Sequence, residues 1–174
     1  MKYILLFLLF PVVAFAHPAD WMIYSGFTHL DSMRCSSCVG GTDYSPHDPT
    51  SSVYQVDVTT YLGHSSGGYP YGMTIGYLNL GSVDNVKPDG IYMLYHVSGA
   101  QHGTRWTGGV GPYVYADTET GAGGYRNTYH AALMIQAGVT HSWGRFKARA
   151  VWERLTTFDS FDQDVFLIGG GESF

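Results

Sequence analysis

The chain has 174 residues and a formal net charge of −5 at pH 7, from 9 basic and 14 acidic side chains. This length favours a single domain, and the acidic balance argues against nucleic acid as a partner. Only 13% of the residues are charged, whereas 23 are Gly and 14 are Tyr, a composition typical of aromatic-rich strands joined by tight turns.

The first 16 residues have the pattern of a secretory signal peptide. Lys2 gives the positive start, residues 4–10 form an apolar run, and Ala14-Phe15-Ala16 supplies the small residues of a cleavage site. No later window reaches the roughly 18 consecutive apolar residues of a membrane helix. We therefore predict that residues 1–16 are removed and that residues 17–174 form one domain, which enters a membrane only as a closed β-barrel.

Eight segments after the cleavage site have the composition and alternation of β-strands. Their predicted bounds are 20–30, 51–62, 71–80, 90–98, 105–116, 128–140, 146–155 and 164–174. Segments of roughly 9–12 residues match the length that a tilted strand needs to cross a bilayer. The sequence therefore predicts an all-β fold, an eight-stranded antiparallel transmembrane β-barrel in the bacterial outer membrane with both termini on the periplasmic side.

Alternation within the strands predicts which residues face the lipid and which face the lumen. Segment 146–155 places Phe146, Ala148, Ala150 and Trp152 on one face, and Lys147, Arg149 and Glu153 on the other. Segment 51–62 repeats the pattern, with Asp57 on its polar face. Because unpaired buried charge is costly, we expect Asp57, Lys147, Arg149 and Glu153 to form an ion-pair network in the lumen.

A barrel of eight strands has a lumen that side chains fill, which argues against a general porin. A soluble lipocalin-like barrel is an alternative, but it needs a polar exterior and an apolar interior.

The first strand has two apolar faces, so its register stays open. The Gly-rich stretch 108–112 suggests a bend or bulge in the fifth strand. The last strand ends on Phe174, whose ring is expected in the lipid interface.

The predicted outward connections are acidic. They contain Asp31, Asp43, Asp48, Asp84, Asp89, Asp117, Glu119, Asp159 and Asp162, against Arg34, Lys87 and Arg126. One hypothesis is that these carboxylates share divalent cations with lipopolysaccharide phosphates; the alternative is a set of solvated loops. We expect the barrel to contact outer-membrane lipid and lipopolysaccharide, and a surface ligand or protein through these loops.

Cys35 and Cys38 are the only cysteines and lie in the first outward connection. In an oxidising envelope this spacing favours a small loop disulfide. A redox role is disfavoured because no strand–helix unit surrounds the pair, and no second cysteine pair completes a metal site. We therefore predict no metal and no cofactor.

One pattern suggests a hydrolase. His96 and Ser98 lie two residues apart on one strand face, where an imidazole can activate a hydroxyl if a third group orients it. Glu153 is the candidate for that third group. The alternative is that both side chains are ordinary polar groups of the lumen.

Three stretches resemble small Gram-negative outer-membrane barrels. They are residues 111–118, residues 149–154 and the ending 162–174. In addition, His96-Val97-Ser98-Gly99-Ala100 is similar to the His-x-Ser-Asn-Ala motif of the lipid A 3-O-deacylase family, with Gly99 in place of Asn. The first resemblance implies a role in envelope structure or surface interaction. The second implies, as the alternative, a lipid A acyl-ester hydrolase that uses His96, Ser98 and Glu153, although the family motif lies near the C-terminal end.

Overall fold

The structure, a computed structural model, describes residues 19–34, 43–44, 50–82, 86–121, 124–157 and 161–174. The eight long strands are β1 (Ala19–Arg34), β2 (Thr50–His64), β3 (Pro70–Asn79), β4 (Val86–Gln101), β5 (Thr104–Gly121), β6 (Gly124–Trp143), β7 (Phe146–Thr157) and β8 (Phe161–Ser173). A two-residue strand, Asp43–Tyr44, pairs with the end of β1. Within these residues, no helix is long and apolar enough to cross a membrane.

Each long strand pairs antiparallel with the next, and β8 pairs with β1, so the sheet closes on itself. The residues that lie opposite one another on neighbouring strands can be followed once around the barrel from Ala19 through Thr60, Met73, Tyr95, Val110, Ile135, Arg154 and Asp164 to His29. The path returns to β1 ten residues from its start. Such a stagger tilts the strands by roughly 35–45°. The predicted fold class is confirmed.

The buried and exposed faces agree with the predicted alternation where faces were predicted. Buried positions on β4 are Tyr92, Leu94, His96 and Ser98, whereas Ile91, Met93, Tyr95 and Val97 are exposed. The same division holds on β7, where Arg149 and Glu153 are buried and Phe146 is exposed. The open register of β1 is now settled, because Met22 and Tyr24 are buried while Ile23 is exposed. The exterior is therefore mainly apolar, apart from the ion pairs of Arg154 with Asp162 and Asp164 near the outward end, and the lumen is mixed.

Aromatic side chains ring the exterior at the end of the barrel that holds the termini. Trp21 and Trp106 lie near the starts of β1 and β5, Trp143 and Phe146 flank a turn, and Phe174 ends the chain. All five are at least 36% exposed. A girdle of this kind is typical of barrels whose rims lie in a lipid interface.

Several strands extend further than the sequence predicted. β5 and β6 pair without interruption from Thr104↔His141 to Gly121↔Gly124, so the predicted loop 117–127 is instead largely a hairpin. The register across residues 108–112 shows no shift on either side, so the stretch contains no bulge, although its pairing with β4 omits Gly111 and Pro112. Consequently Asp31, Asp43, Asp89, Asp117, Glu119 and Asp162 lie on strands rather than in loops. The polar composition of these segments predicted loops, but main-chain hydrogen bonds between strands do not require apolar side chains.

We predict that Gly26→Ala destabilises the barrel by about 1–3 kcal/mol, as overpacking of a tight site does. A methyl group at Gly26 on β1 would lie 1.8 Å from the carbonyl oxygen of Phe166 on β8, at the strand pair that closes the sheet. Urea unfolding of the refolded protein, followed by Trp fluorescence, measures the effect. Gly108→Ala is the matched control, since nothing lies within 4 Å of a methyl group there. Equal stability of the two variants would contradict this account of the closure.

Candidate functional site in the barrel lumen

Gln55 connects the two deeply buried carboxylates of the lumen. Its Nε2 donates to Glu153 Oε1 at 3.1 Å, and lies 2.7 Å from the Tyr92 hydroxyl and 3.4 Å from Asp57 Oδ2. The Tyr92 hydroxyl in turn donates to Asp57 Oδ2 at 3.0 Å. Strands β2, β4 and β7 are thereby joined across the interior by side chains that are all at most 2% exposed.

Arg149 on β7 is the buried cation of this network. Its Nη1 donates to the Tyr24 hydroxyl at 3.2 Å, and its Nη2 donates to Gln136 Oε1 at 2.7 Å. Gln136 Nε2 then donates to Glu153 Oε1 at 2.7 Å, so the guanidinium reaches that carboxylate through an amide rather than by direct contact. A Cβ at Gly138 would lie 3.1 Å from Arg149 Nε, which shows that Gly138 makes room for the guanidinium.

A second charged group lies nearer the end of the barrel that holds the termini. Lys147 forms an ion pair with Asp20, which also accepts hydrogen bonds from the Tyr61 hydroxyl at 3.1 Å and from Ser173 Oγ at 2.8 Å. Arg105 stacks over the Tyr61 ring at 4.6 Å. The lumen therefore contains three acidic side chains, Asp20, Asp57 and Glu153, and three basic ones, Arg105, Lys147 and Arg149.

Buried apolar side chains occupy much of the remaining interior. Beyond the polar network lies a cluster of buried apolar and aromatic side chains that includes Leu78, Leu80, Tyr113, Tyr115 and Leu155. An interior cavity of about 10 Å³ lies beside Asp20, Arg149 and three threonines. That volume is about the size of one water molecule, as expected in an eight-stranded barrel whose lumen is occupied by side chains.

The structure places Asp57, Lys147, Arg149 and Glu153 inside the barrel but does not join them into one set of ion pairs. Lys147 pairs with Asp20, which the sequence did not single out, and amides rather than charges bridge Asp57, Glu153 and Arg149. The alternation of polar and apolar residues places Gln55 and Gln136 on the inward faces of their strands. This pattern could have identified them as members of the lumen network.

The proposed catalytic residues are not joined by hydrogen bonds: His96 and Ser98 lie two residues apart on the inner face of β4, and Glu153 lies on β7. His96 Nδ1 lies 3.3 Å from Thr74 Oγ1, and its Nε2 faces Gly72, where a Cβ would lie 3.0 Å away. Ser98 Oγ lies 3.4 Å from Thr107 Oγ1. The hydrogen bonds of Glu153 go to Gln55 and Gln136. The three side chains are not brought together, and the hydrolase reading stays a prediction.

Two further predictions fall outside the described residues, namely the signal peptide 1–16 and the disulfide between Cys35 and Cys38. Within the described ranges, no three His, Cys, Asp or Glu side chains lie close enough together to hold a metal ion.

The closed eight-stranded sheet, the apolar exterior and the filled lumen define the architecture of small outer-membrane barrels. The chain is similar to the N-terminal β-barrel domain of OprF from Pseudomonas aeruginosa, with a TM-score of 0.61 at 12% identity over 91% of this chain and 98% of that one. It is also similar to Ail of Yersinia pestis, in complex with the heparin analogue sucrose octasulfate (TM-score 0.58, 13% identity, 91% and 99% covered).

Neisserial surface protein A is a third similar structure, with a TM-score of 0.56 at 8% identity over 90% of this chain and 99% of that one. Identities this low show a shared fold and nothing finer. No family model and no curated protein sequence matches the chain. The comparisons support the expected resemblance to small outer-membrane barrels, and give no support to the resemblance to the lipid A 3-O-deacylase family.

We predict that Arg149→Met destabilises the barrel by about 3–5 kcal/mol, because it leaves Asp57 and Glu153 without a nearby cation in a buried site. Urea unfolding in detergent micelles measures the difference from wild type. Arg145→Met is the control: Arg145 is 69% exposed and its pair with Glu172 lies at a turn, where such pairs contribute roughly 0–1 kcal/mol. If both variants cost the same small amount, the buried network does not stabilise the barrel.

Proposed function

We propose that this chain is an integral outer-membrane β-barrel, that its lumen is a structural plug, and that it acts in envelope structure or in surface interaction. The observation that carries the proposal is the inverted polarity of the barrel. Asp57, Arg149 and Glu153 are buried inside, whereas isoleucines from four strands, Ile23, Ile91, Ile135 and Ile168, are 42–74% exposed.

Exposure on this scale is incompatible with water around the barrel. Soluble proteins rarely expose apolar patches larger than a few hundred Å², whereas here large apolar side chains are exposed on seven of the eight long strands, all except β3. A bilayer accommodates the same side chains, and closure of the sheet pairs the strand edges that hydrocarbon would otherwise leave without partners. The polarity therefore favours the outer membrane over a soluble lipocalin-like barrel, which needs a polar exterior.

The orientation of the barrel follows from its connections. The connections at the end that holds the termini are short, with turns at residues 65–69, 102–103 and 144–145, as is usual for periplasmic turns. On this basis both termini are periplasmic, residues 1–16 serve as the export signal, and the opposite end of the barrel faces outward.

Contacts with a surface ligand or protein, and with lipopolysaccharide, then fall to the outward end. The outward segments contain nine acidic and three basic residues by the sequence count above. A polyanion such as the heparin analogue bound by Ail is therefore a poor electrostatic match for this chain. Neutral or basic partners, or anionic lipid bridged by divalent cations, suit an acidic rim better.

Charged substitutions on the outer wall test the membrane assignment. Ile135→Lys lies on the exposed face of β6 at mid-barrel, where we predict a loss of about 2–4 kcal/mol in lipid vesicles, the cost of a cation at the bilayer midplane. Tyr129→Lys is the control on the same strand, six residues nearer the outward end, with an expected cost of about 0–1 kcal/mol. The measurement is reversible unfolding of the vesicle-inserted protein in guanidinium.

A barrel that stays in water gives a different result. Neither lysine would then be costly, and the wild-type chain would appear in the soluble periplasmic fraction rather than in outer membranes. Either finding would contradict the proposed function.

A further inference from the structure

β6 rises beyond its neighbour β7 at the outward end of the barrel. β6 begins at Gly124, but its pairing with β7 begins only at Ala132↔Thr157. On its other side β6 is paired with β5 along its whole length, up to Gly121↔Gly124. β5 is itself covered by β4, which pairs with it from Val86↔Glu119. Three strands thus project together, and β6 forms the edge of the projection.

The register identifies which main-chain groups lie on this edge. The amide of Ser142 donates to the Gly103 carbonyl oxygen at 3.3 Å, so residue 142 of β6 directs its N–H group towards β5. The N–H and C=O groups of successive residues in an antiparallel strand point to alternate sides, and no register shift interrupts the β5–β6 pairing. Even-numbered residues of β6 therefore bond to β5, and odd-numbered residues point towards β7.

Tyr125, Asn127 and Tyr129 consequently direct their main-chain N–H and C=O groups away from β5. Among the described residues, no strand pairs with these three positions on that side. Edge strands are usually protected by proline, several charges or a bulge. Residues 124–129 contain no proline and a single charged residue, Arg126, and their pairing with β5 shows no bulge.

The composition of the edge also favours a partner. Tyr and Arg are enriched at the centres of protein interfaces, and this six-residue segment contains two Tyr and one Arg. The Tyr129 side chain is 76% exposed, the highest value among the exposed large apolar and aromatic side chains of the described part. A row of unpaired main-chain N–H and C=O groups can bind only an extended backbone, because the main-chain groups of a helix are already hydrogen-bonded within the helix.

We propose that residues 124–129 of β6 bind an extended segment of a partner protein by strand addition, with main-chain hydrogen bonds to Tyr125, Asn127 and Tyr129. This rests on the proposed function, because the edge must lie outside the membrane for a partner to reach it. The partner adds as a further strand of the projecting sheet, and its alternate side chains lie beside Tyr129.

Amide hydrogen exchange of the isotope-labelled, refolded barrel in micelles tests the proposal. In the free protein the amides of Tyr125, Asn127 and Tyr129 should exchange fast, whereas those of Arg126 and Thr128 should be protected by β5. The probe is a synthetic peptide with the sequence of residues 113–121, a segment that already pairs with the other side of β6. At about ten times its Kd, the peptide should slow the three edge amides by on the order of tenfold.

Two substitutions at one position separate main-chain from side-chain recognition. Asn127→Pro removes an N–H group on the open side without removing a bond to β5, and should abolish binding of the peptide. Asn127→Ala removes only the side chain and should bind as wild type does. Both should keep the faster gel mobility of the unheated, closed barrel, so that a failure of strand addition is distinguished from a failure of the barrel.

Three results would overturn the proposal. They are equal exchange of odd and even amides in the free protein, an absence of protection at saturating peptide, and undiminished binding by Asn127→Pro.

Discussion

The closure of the main-chain ladder between the first and last strands is the constraint on which the structure depends. Ala19 and Phe174 exchange two hydrogen bonds, at 3.0 and 3.2 Å, and the pairing of β1 with β8 continues from there to Met33↔Phe161. An open edge at this position would expose N–H and C=O groups to hydrocarbon, where each unpaired group costs several kcal/mol. Two glycines at the seam, Gly26 and Gly171, let the two backbones approach closely.

Closure of the sheet also determines the size of the lumen and therefore which side chains it can hold. Eight strands with a ten-residue stagger leave a lumen that side chains fill, so inward polar residues must bond chiefly to one another. The chain meets this demand with neutral amides and phenols placed between charges: Gln55, Gln136, Tyr24 and Tyr92 each bond to a charged group.

The sequence alone was sufficient for the parts of the fold that follow from local alternation. The inward positions of Asp57, Arg149 and Glu153 needed only a period of two, and the strand count followed from eight such segments. The partners of these residues could not be predicted, because they depend on strand tilt and on closure. Lys147 meets Asp20, which is distant in sequence, only because β7 pairs with β8 and β8 pairs with β1. For the same reason the shared inward face of His96 and Glu153 did not imply contact.

The ends of the strands also could not be predicted from the sequence. β5 and β6 continue to Gly121 and Gly124 through polar residues, where alternation of apolar side chains no longer marks a strand. Main-chain hydrogen bonds between β5 and β6 maintain these extensions. The sequence of one strand does not show which strand lies beside it. The edge of β6 is therefore a feature that only the strand pairing reveals.

The inverted polarity can be measured directly through the intrinsic fluorescence of the four tryptophans. Trp21, Trp106 and Trp143 are 36–63% exposed on the outer wall, and Trp152 lies on the face of β7 that forms part of this wall. When the protein is refolded into vesicles whose acyl chains carry bromine, the account predicts strong quenching by the lipid and weak quenching by iodide in the water. Strong quenching by iodide with none by the brominated lipid would contradict it.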